Sequence, residues 1–261
     1  MNKKQSYRYA RHIIMHEIGE NGQQKIINSK VLCVGAGGLG SPILQYLAGA
    51  GVGTIGIMDD DIVDISNLQR QTIHAGNDGI SKVESAKKFI QKLNPDITIN
   101  TYNERIAPNN AIEIIKNYDI IVNCSDNFAT IYLLNDASVI LKKPFIYGSV
   151  FRFEGQAMTI IPMESPCYRC LFKQAPSPET IKNAKEIGVF GVLPGMVGII
   201  QASEILKCIV SMGKLLTGRM IYCDILSFSF EEIKVQRDIN CVVCGKNPKI
   251  KSIEAKNYEC I

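Results

Sequence analysis

The sequence predicts an α/β fold, a doubly wound and mostly parallel sheet extended by antiparallel strands. Three observations carry that prediction. Strand and helix signals alternate through residues 1–150, the order that parallel strands with crossover helices require. The turn inside VLCVGAGGLG (31–40) packs Gly35, Gly37, Gly38 and Gly40 between a strand and a helix, which makes the sheet Rossmann-like. Past residue 150, the strand-like runs RMIYCDIL and SFEEIKVQ lie close together like a hairpin.

Taken in order, VLCVG (31–35) reads as a buried strand and LGSPILQYLAGAG (39–51) as an apolar helix. TIGIM (54–58) is the next strand and runs into an acidic cluster. SKVESAKKFIQKLN (81–94) opens with a capping box, Ser81 with Glu84, and Pro95 follows its end. ITINTY (97–102), a helix near 109–117, the strand DIIVNC (119–124), a helix near 127–142 and the strand PFIYGS (144–149) complete the alternation. EGQAMTIIP then reads as a strand, followed by a cysteine pair and a polar, proline-containing stretch over 173–188. A long apolar helix is expected from near Pro194 to about Met212, ahead of the hairpin. No internal repeat or low-complexity linker divides the chain, so one compact unit with two lobes is expected.

At 261 residues with 46% hydrophobic and 21% charged side chains, the chain can bury a full core and is not a disordered sequence. The net charge of +4 is mild, and lysines are scattered without interleaved aromatics, which argues against a nucleic-acid partner. No apolar run approaches the roughly 18 residues of a membrane span. The basic N-terminus lacks the apolar stretch of a signal peptide. A cytoplasmic location is therefore expected, where the nine cysteines would be thiols or metal ligands.

In the glycine turn, Gly35 would make the tight bend, Gly37 would let amides approach a phosphate, and Gly40 would let helix and strand pack closely. The helix N-terminus adds partial positive charge. Asp59, at the end of the second strand, is placed to bond ribose hydroxyls. An NAD(P)-dependent oxidoreductase would share these features. The next segment, DDDIVDISNLQRQTIH, argues otherwise, because it places Asn67, Arg70 and Gln71 shortly after the ribose acid. Hydride transfer has no need of a cation aimed at the phosphates, whereas breaking a phosphoanhydride does. Lys82 could supply a second cation, and Asp126, just past the fourth strand in NCSDN, sits where a carboxylate could hold Mg²⁺. The bland readings are solvated surface charges and, for Asp126, a helix cap. All of these residues map to the carboxyl ends of parallel strands, where ligands bind in such sheets.

Cys167 with Cys170, and Cys241 with Cys244, form two C-x-x-C pairs. Two such pairs supply the closed tetrahedral thiolate site usual for structural zinc. A redox pair would normally open a helix after a strand, whereas Cys167 follows Pro166 in a loop. Zn²⁺ with a structural role is the expected occupant. His12, His16 and His74 are not spaced as ligands and have no evident acidic orienter, so no role is assigned to them.

RYARHII, GAGGLGSP, the SNLQRQ segment, GISKVESA, CSDN, FEGQ, PCYRC and CVVCGK stand in one order along nearly the whole chain. In these motifs the sequence resembles the ThiF/MoeB/HesA adenylyltransferases, relatives of the ubiquitin-activating enzymes. The resemblance implies that the glycine loop, Gly38 included, lines an ATP site with Asp59 on the ribose. It implies that Asn67, Arg70 and Lys82 contact the phosphates and that Asp126 serves Mg²⁺. Arg11 resembles an arginine that family members lend to the neighbouring subunit's active site, which implies a homodimer. Residues 1–150 would be the nucleotide-binding lobe, 151–246 a carrier-binding lobe with the crossover loop and zinc site, and 247–261 a tail.

The implied reaction is ATP-dependent adenylation of the C-terminal glycine of a small ubiquitin-like sulfur carrier ending in Gly-Gly, with release of pyrophosphate. Carriers of thiamine or molybdenum-cofactor type sulfur transfer fit, with a separate sulfurtransferase as donor. Some family members carry a cysteine in the loop before the long apolar helix. By register against the family's GVxG segment that position is Ala184 here, so adenylation without a loop-cysteine intermediate is expected. The rival readings are the oxidoreductase and an inactive scaffold that only binds a ubiquitin-like protein.

Overall fold

Short β-rich runs buried along most of their length build the centre of the molecule. A computed structural model describes residues 1–176 and 188–258. Its strands are β1 (Lys30–Val34), β2 (Thr54–Met58), β3 (Thr98–Tyr102), β4 (Ile120–Asn123), β5 (Phe145–Phe151), β6 (Glu154–Ile160), β7 (Arg219–Asp224) and β8 (Ser229–Lys234). They form one sheet in the order β3-β2-β1-β4-β5-β6-β7-β8. The pairs from β3 to β5 are parallel, and those from β5 to β8 are antiparallel. The order reverses between β1 and β4, which creates the crevice where ligands enter such sheets.

Successive residues of a strand face opposite sides, and the two cores follow that rule. Val31 and Cys33 of β1 point into one apolar cluster, and Leu32 and Val34 into the other. The first cluster is covered by α4 (Gly40–Ala50), α5 (Lys82–Leu93) and α9 (Leu193–Val210). The second is covered by α6 (Ala111–Ile115), α7 (Phe128–Leu141) and the segment containing the cysteines, including α8 (Tyr168–Leu171). The long apolar helix expected from near Pro194 is α9. Among the described residues it alone is long and apolar enough to cross a membrane, at a mean hydropathy of 1.5, which corrects the expectation that no apolar run approaches that length. Half of it is buried in the protein, where it packs on α3 (Gly19–Asn28), α4, β5 and β6.

Two local features differ from the sequence expectations, and a third segment was not assigned from sequence. The capping box at α5 does not form: Ser81 makes no side-chain cap, and the Glu84 carboxylate accepts from the Thr101 hydroxyl of β3 instead. Backbone pairing organises that helix entry, with a bridge between Ile62 and Ser81 and the Lys82 amide donating to the Asp61 carbonyl. Cys167 lies at the N-cap of α8 and so opens a short helix, where a loop was expected. The N-terminal segment, unassigned from sequence, forms α1 (Lys3–Arg8), α2 (Ala10–Ile13) and α3.

The tail past Lys246 also folds back. Its Lys249 and Ile250 amides donate to the Val242 carbonyl, and the buried Tyr258 hydroxyl donates to Asp136 at 3.0 Å. Asp136 is fully buried and receives both Nε and Nη2 of Arg169 at 2.8 Å. This bidentate pair ties α7 to the turn between Cys167 and Cys170.

Candidate active site

The glycine loop follows β1 at the reversal point. Gly35 has φ +105°, and a β-carbon there would sit 2.7 Å from the carbonyl of Cys124, the residue just past β4. A β-carbon on Gly40 would overlap the Gly35 carbonyl oxygen. These two glycines are required by backbone conformation and by strand–helix proximity. At Gly37 a β-carbon would meet only the Gln71 amide, at an ordinary 3.5 Å. At Gly38 it would press on Pro194 at 2.9 Å and lie 3.7 Å from Arg70 Cδ. The loop therefore brings the arginine turn and the start of α9 together. Gly35→Ala is expected to destabilise the fold by about 3 kcal/mol in urea unfolding and to abolish nucleotide binding.

Asp59 is braced against this loop. Its Oδ2 accepts from the Ala36 amide at 2.7 Å and its Oδ1 from the Asp61 amide at 2.9 Å. The remaining lone pairs suit ribose hydroxyls. Its neighbours carry counterions: Asp60 pairs with Arg105 at 2.7 Å and Asp61 with the buried Lys82 at 2.7 Å.

Asn67, Arg70 and Gln71 form one tight turn, since the Arg70 and Gln71 amides both donate to the Asn67 carbonyl. Asp64 caps the 3₁₀ turn Ile65–Asn67 that leads into it. Gln71 is buried beside Gly37, and its Oε1 has no hydrogen-bond partner. An orphaned acceptor next to a bare glycine backbone fits a bound ligand with a donor group. Asp126 is exposed just beyond β4. It does not cap α7, because Asn127 does so by accepting from the Thr130 amide at 2.9 Å. The Asp126 carboxylate has no ion pair or hydrogen bond among the described residues, which fits a hard cation.

Arg11 stands apart. It is exposed on α2, two residues after Tyr9, whose ring packs against Gly51 at the C-cap of α4. The 11 residues of α4 span about 16 Å from that end to the glycine loop. No contact joins Arg11 to the other candidate residues within the described chain.

His74 is the residue that sequence reasoning missed. It is fully buried, with Nε2 2.7 Å from the Ala36 carbonyl and Nδ1 2.9 Å from the Ser85 hydroxyl. The carbonyl only accepts, so Nε2 carries the proton. Burial is the main cause that holds the pKa of His74 below the ordinary 6.5, and Lys82 pushes it the same way. The neutral ring is therefore the form present at neutral pH. Its partners are a backbone carbonyl and a serine, so no spacing of acids or ligands announces it.

The four cysteines converge. Sγ separations are 3.9 Å for Cys167–Cys170, 3.6 Å for Cys167–Cys241 and 3.4 Å for Cys170–Cys244. All four sulfurs lie within 4.8 Å of one another and are buried. A tetrahedron with metal–sulfur bonds of about 2.3 Å has edges of about 3.8 Å, so the cluster fits zinc. The Asp238 amide donates to Cys170 Sγ at 3.4 Å, a bond suited to a thiolate. A β-carbon on Gly245 would strike the Cys241 carbonyl, so the second knuckle needs glycine there. Cys33, Cys124 and Cys223 are buried in or beside strands, and Cys208 is half-buried in α9. Ala184 and Cys260 lie outside the described residues.

The Phe190 amide donates to the Arg152 carbonyl at 2.9 Å, and Gly191 packs on Gln69 beside Arg70. Phe151, Phe190, Val192, Leu226, Phe228 and Phe230 are exposed on this side and on the β7–β8 hairpin.

The ThiF family model matches residues 9–243. The chain is 45% identical over 252 residues to the SAMP-activating enzyme E1 of Haloferax volcanii, covering 96% of this chain and 93% of that protein. It is 43% identical over 263 residues to the sulfur carrier protein adenylyltransferase of Thermus thermophilus, covering 98% and 96%. Against the adenylyltransferase and sulfurtransferase MOCS3 of Culex quinquefasciatus it is 44% identical, covering 97% of this chain but 58% of that longer protein. Among solved structures, E. coli MccB with ATP superposes with a TM-score of 0.80 over 91% of this chain and 74% of that one. At 24% sequence identity that likeness speaks for the fold alone.

Proposed function

The chain belongs to the ThiF family, and from that membership and the site geometry we propose that it is an adenylyltransferase acting on the C-terminal glycine of a small ubiquitin-like sulfur carrier. The observation that carries this reading is the packing of Arg70 against Gly38, which puts a guanidinium stem at the mouth of the glycine loop. Carrier activation is what the relatives' names state of those proteins, and it supplies the class of acceptor.

A C-terminal carboxylate is ionised near neutral pH, so the reaction needs no general base. One carboxylate oxygen attacks the α-phosphorus of ATP, the bond to the β-phosphate breaks, and pyrophosphate leaves with the electron pair. Catalysis then reduces to in-line positioning and charge neutralisation. The glycine-loop amides and the N-terminus of α4 hold phosphate oxygens. Asp59 holds the ribose, with Asn67 and Gln71 lining the site. Arg70 and Lys82 neutralise charge on the phosphates, and Arg11 reaches the site of a second copy in a homodimer. Asp126 would hold Mg²⁺, which when bound offsets the negative charge of the triphosphate. The cysteine cluster would hold Zn²⁺ and staple the second lobe. With alanine at position 184, the carrier adenylate passes directly to a separate sulfurtransferase, in sulfur transfer of the thiamine or molybdenum-cofactor type.

The reading is tested by carrier-dependent exchange of labelled pyrophosphate into ATP. Asp126→Ala is expected to reduce that exchange by about a hundredfold or more with an unchanged melting temperature, because the side chain is exposed and uncommitted. Exchange at the wild-type rate in this variant would remove Asp126 from the mechanism. No exchange in the wild type with any Gly-Gly carrier would count against the function.

A further inference from the structure

We infer that His74 is a positioning residue that clamps the glycine loop in its nucleotide-binding shape and joins the three segments that face the phosphates. The inference rests on the nucleotide reading above and adds a residue to it. His74 belongs to the 3₁₀ turn Thr72–His74 that directly follows Arg70 and Gln71. Its Nε2–H reaches the carbonyl of Ala36, which lies between Gly35 and Gly37. Its Nδ1 accepts from Ser85, one turn into the helix that begins with Lys82. One imidazole thus bridges the arginine turn, the glycine loop and the lysine helix.

The clamp acts on both sides of Ala36. His74 holds the carbonyl, and Asp59 Oδ2 holds the amide at 2.7 Å. The orientation of this residue fixes where the following amides of Gly37 and Gly38 point, and it fixes the carboxylate assigned to the ribose. His74, Ser85 and the Ala36 side chain are fully buried, so no water replaces a lost bond cheaply. The neutral ring satisfies both partners at once, one as donor and one as acceptor. In the imidazolium form Nδ1 becomes a donor, the Ser85 proton loses its acceptor, and a second cation arises near Lys82. Asp59 is the nearby charge that favours that form. The folded-state pKa is depressed, so the clamp is intact above about pH 6.5 and is lost as the pH falls through the lower folded value.

His74→Asn and His74→Gln separate the two bonds. Asparagine places a polar group near the Nδ1 position but leaves the Ala36 carbonyl without a donor, while glutamine reaches the Nε2 position with an N–H. The experiment measures ATP affinity by calorimetry and pyrophosphate exchange on the full-length protein across pH, with melting temperature as the control for folding. Asparagine is expected to weaken ATP binding by about tenfold or more. Glutamine is expected to recover most of that loss. In the wild type the affinity for ATP should fall as the pH drops through the depressed folded value of His74, which lies below 6.5, and in the glutamine variant that decline should be absent.

Equal ATP affinity in wild type and asparagine variant would overturn the clamp while leaving the nucleotide reading intact. Equal losses in both variants would reduce His74 to packing and overturn it as well. If the asparagine variant does not fold, Ser85→Ala carries the test, since it removes only the hydroxyl that orients Nδ1. It should weaken ATP binding about threefold or more, and undiminished binding would defeat the clamp. A wild-type chain that binds no ATP takes down the nucleotide reading, and the clamp with it.

Discussion

Replacing Arg70 with alanine is expected to lower carrier-dependent pyrophosphate exchange by about a thousandfold while leaving the protein folded. The size of the effect follows from what the side chain is asked to do. Negative charge builds on the phosphoryl oxygens and on departing pyrophosphate, and a cation already fixed beside the loop stabilises that charge without reorganising as the reaction proceeds. Arg70 is half-buried, its stem lies against Gly38, and its guanidinium makes no hydrogen bond or ion pair among the described residues. Removing it therefore costs the fold little. Its backbone amide still donates to the Asn67 carbonyl in the variant, so the turn persists. Arg70→Lys is expected to recover only part of the rate, because an ammonium lacks the planar fork that spans two phosphoryl oxygens. Wild-type exchange in Arg70→Ala would show that the cation assigned to the phosphates is a surface charge.

The second large effect is expected from the cysteine cluster. Cys241→Ser should cost the bound zinc ion and several kcal/mol of stability, lowering the melting temperature by about 10 °C. Cys167 and Cys170 lie next to the second core cluster, and Arg169 between them holds the buried Asp136 of α7. Opening the cluster thus threatens a buried ion pair and the Tyr258 contact as well as four thiols. Metal analysis by mass spectrometry together with thermal unfolding checks this. Zinc retained at full stoichiometry in the variant, or an unchanged melting temperature, would contradict a closed four-sulfur site.

Much of the sheet was legible because its signals are local. β2 coincides with TIGIM, and the other strands shift by only a few residues at their ends. Glycines at 35 and 40 were readable because only that residue type tolerates the conformation and the close approach found there. The cysteine pairs were readable by spacing, although 74 residues separate Cys167 from Cys241 and Cys170 from Cys244 in the chain. What escaped depends on partners distant in sequence. Ser81 and Glu84 match a capping box, yet Thr101 on a neighbouring strand claims the glutamate. His74 finds its partners 38 residues before it and 11 residues after it, and one of them is a backbone carbonyl that any residue could supply. The tail past Lys246 is held in part by Tyr258, which reaches back 122 residues to Asp136. Arg11 entered only through family resemblance, and within the described chain it stands beside the far end of α4, away from the glycine loop.

The central claim is that the glycine loop holds ATP that is consumed in adenylating a carrier. The most direct measurement is intact mass spectrometry of candidate carriers ending in Gly-Gly after incubation with the protein and Mg-ATP. One carrier should gain the mass of a single adenylyl group, and the protein itself should gain no covalent carrier, because position 184 is alanine. ATP bound and recovered unchanged with every carrier, none of them modified, would contradict the account.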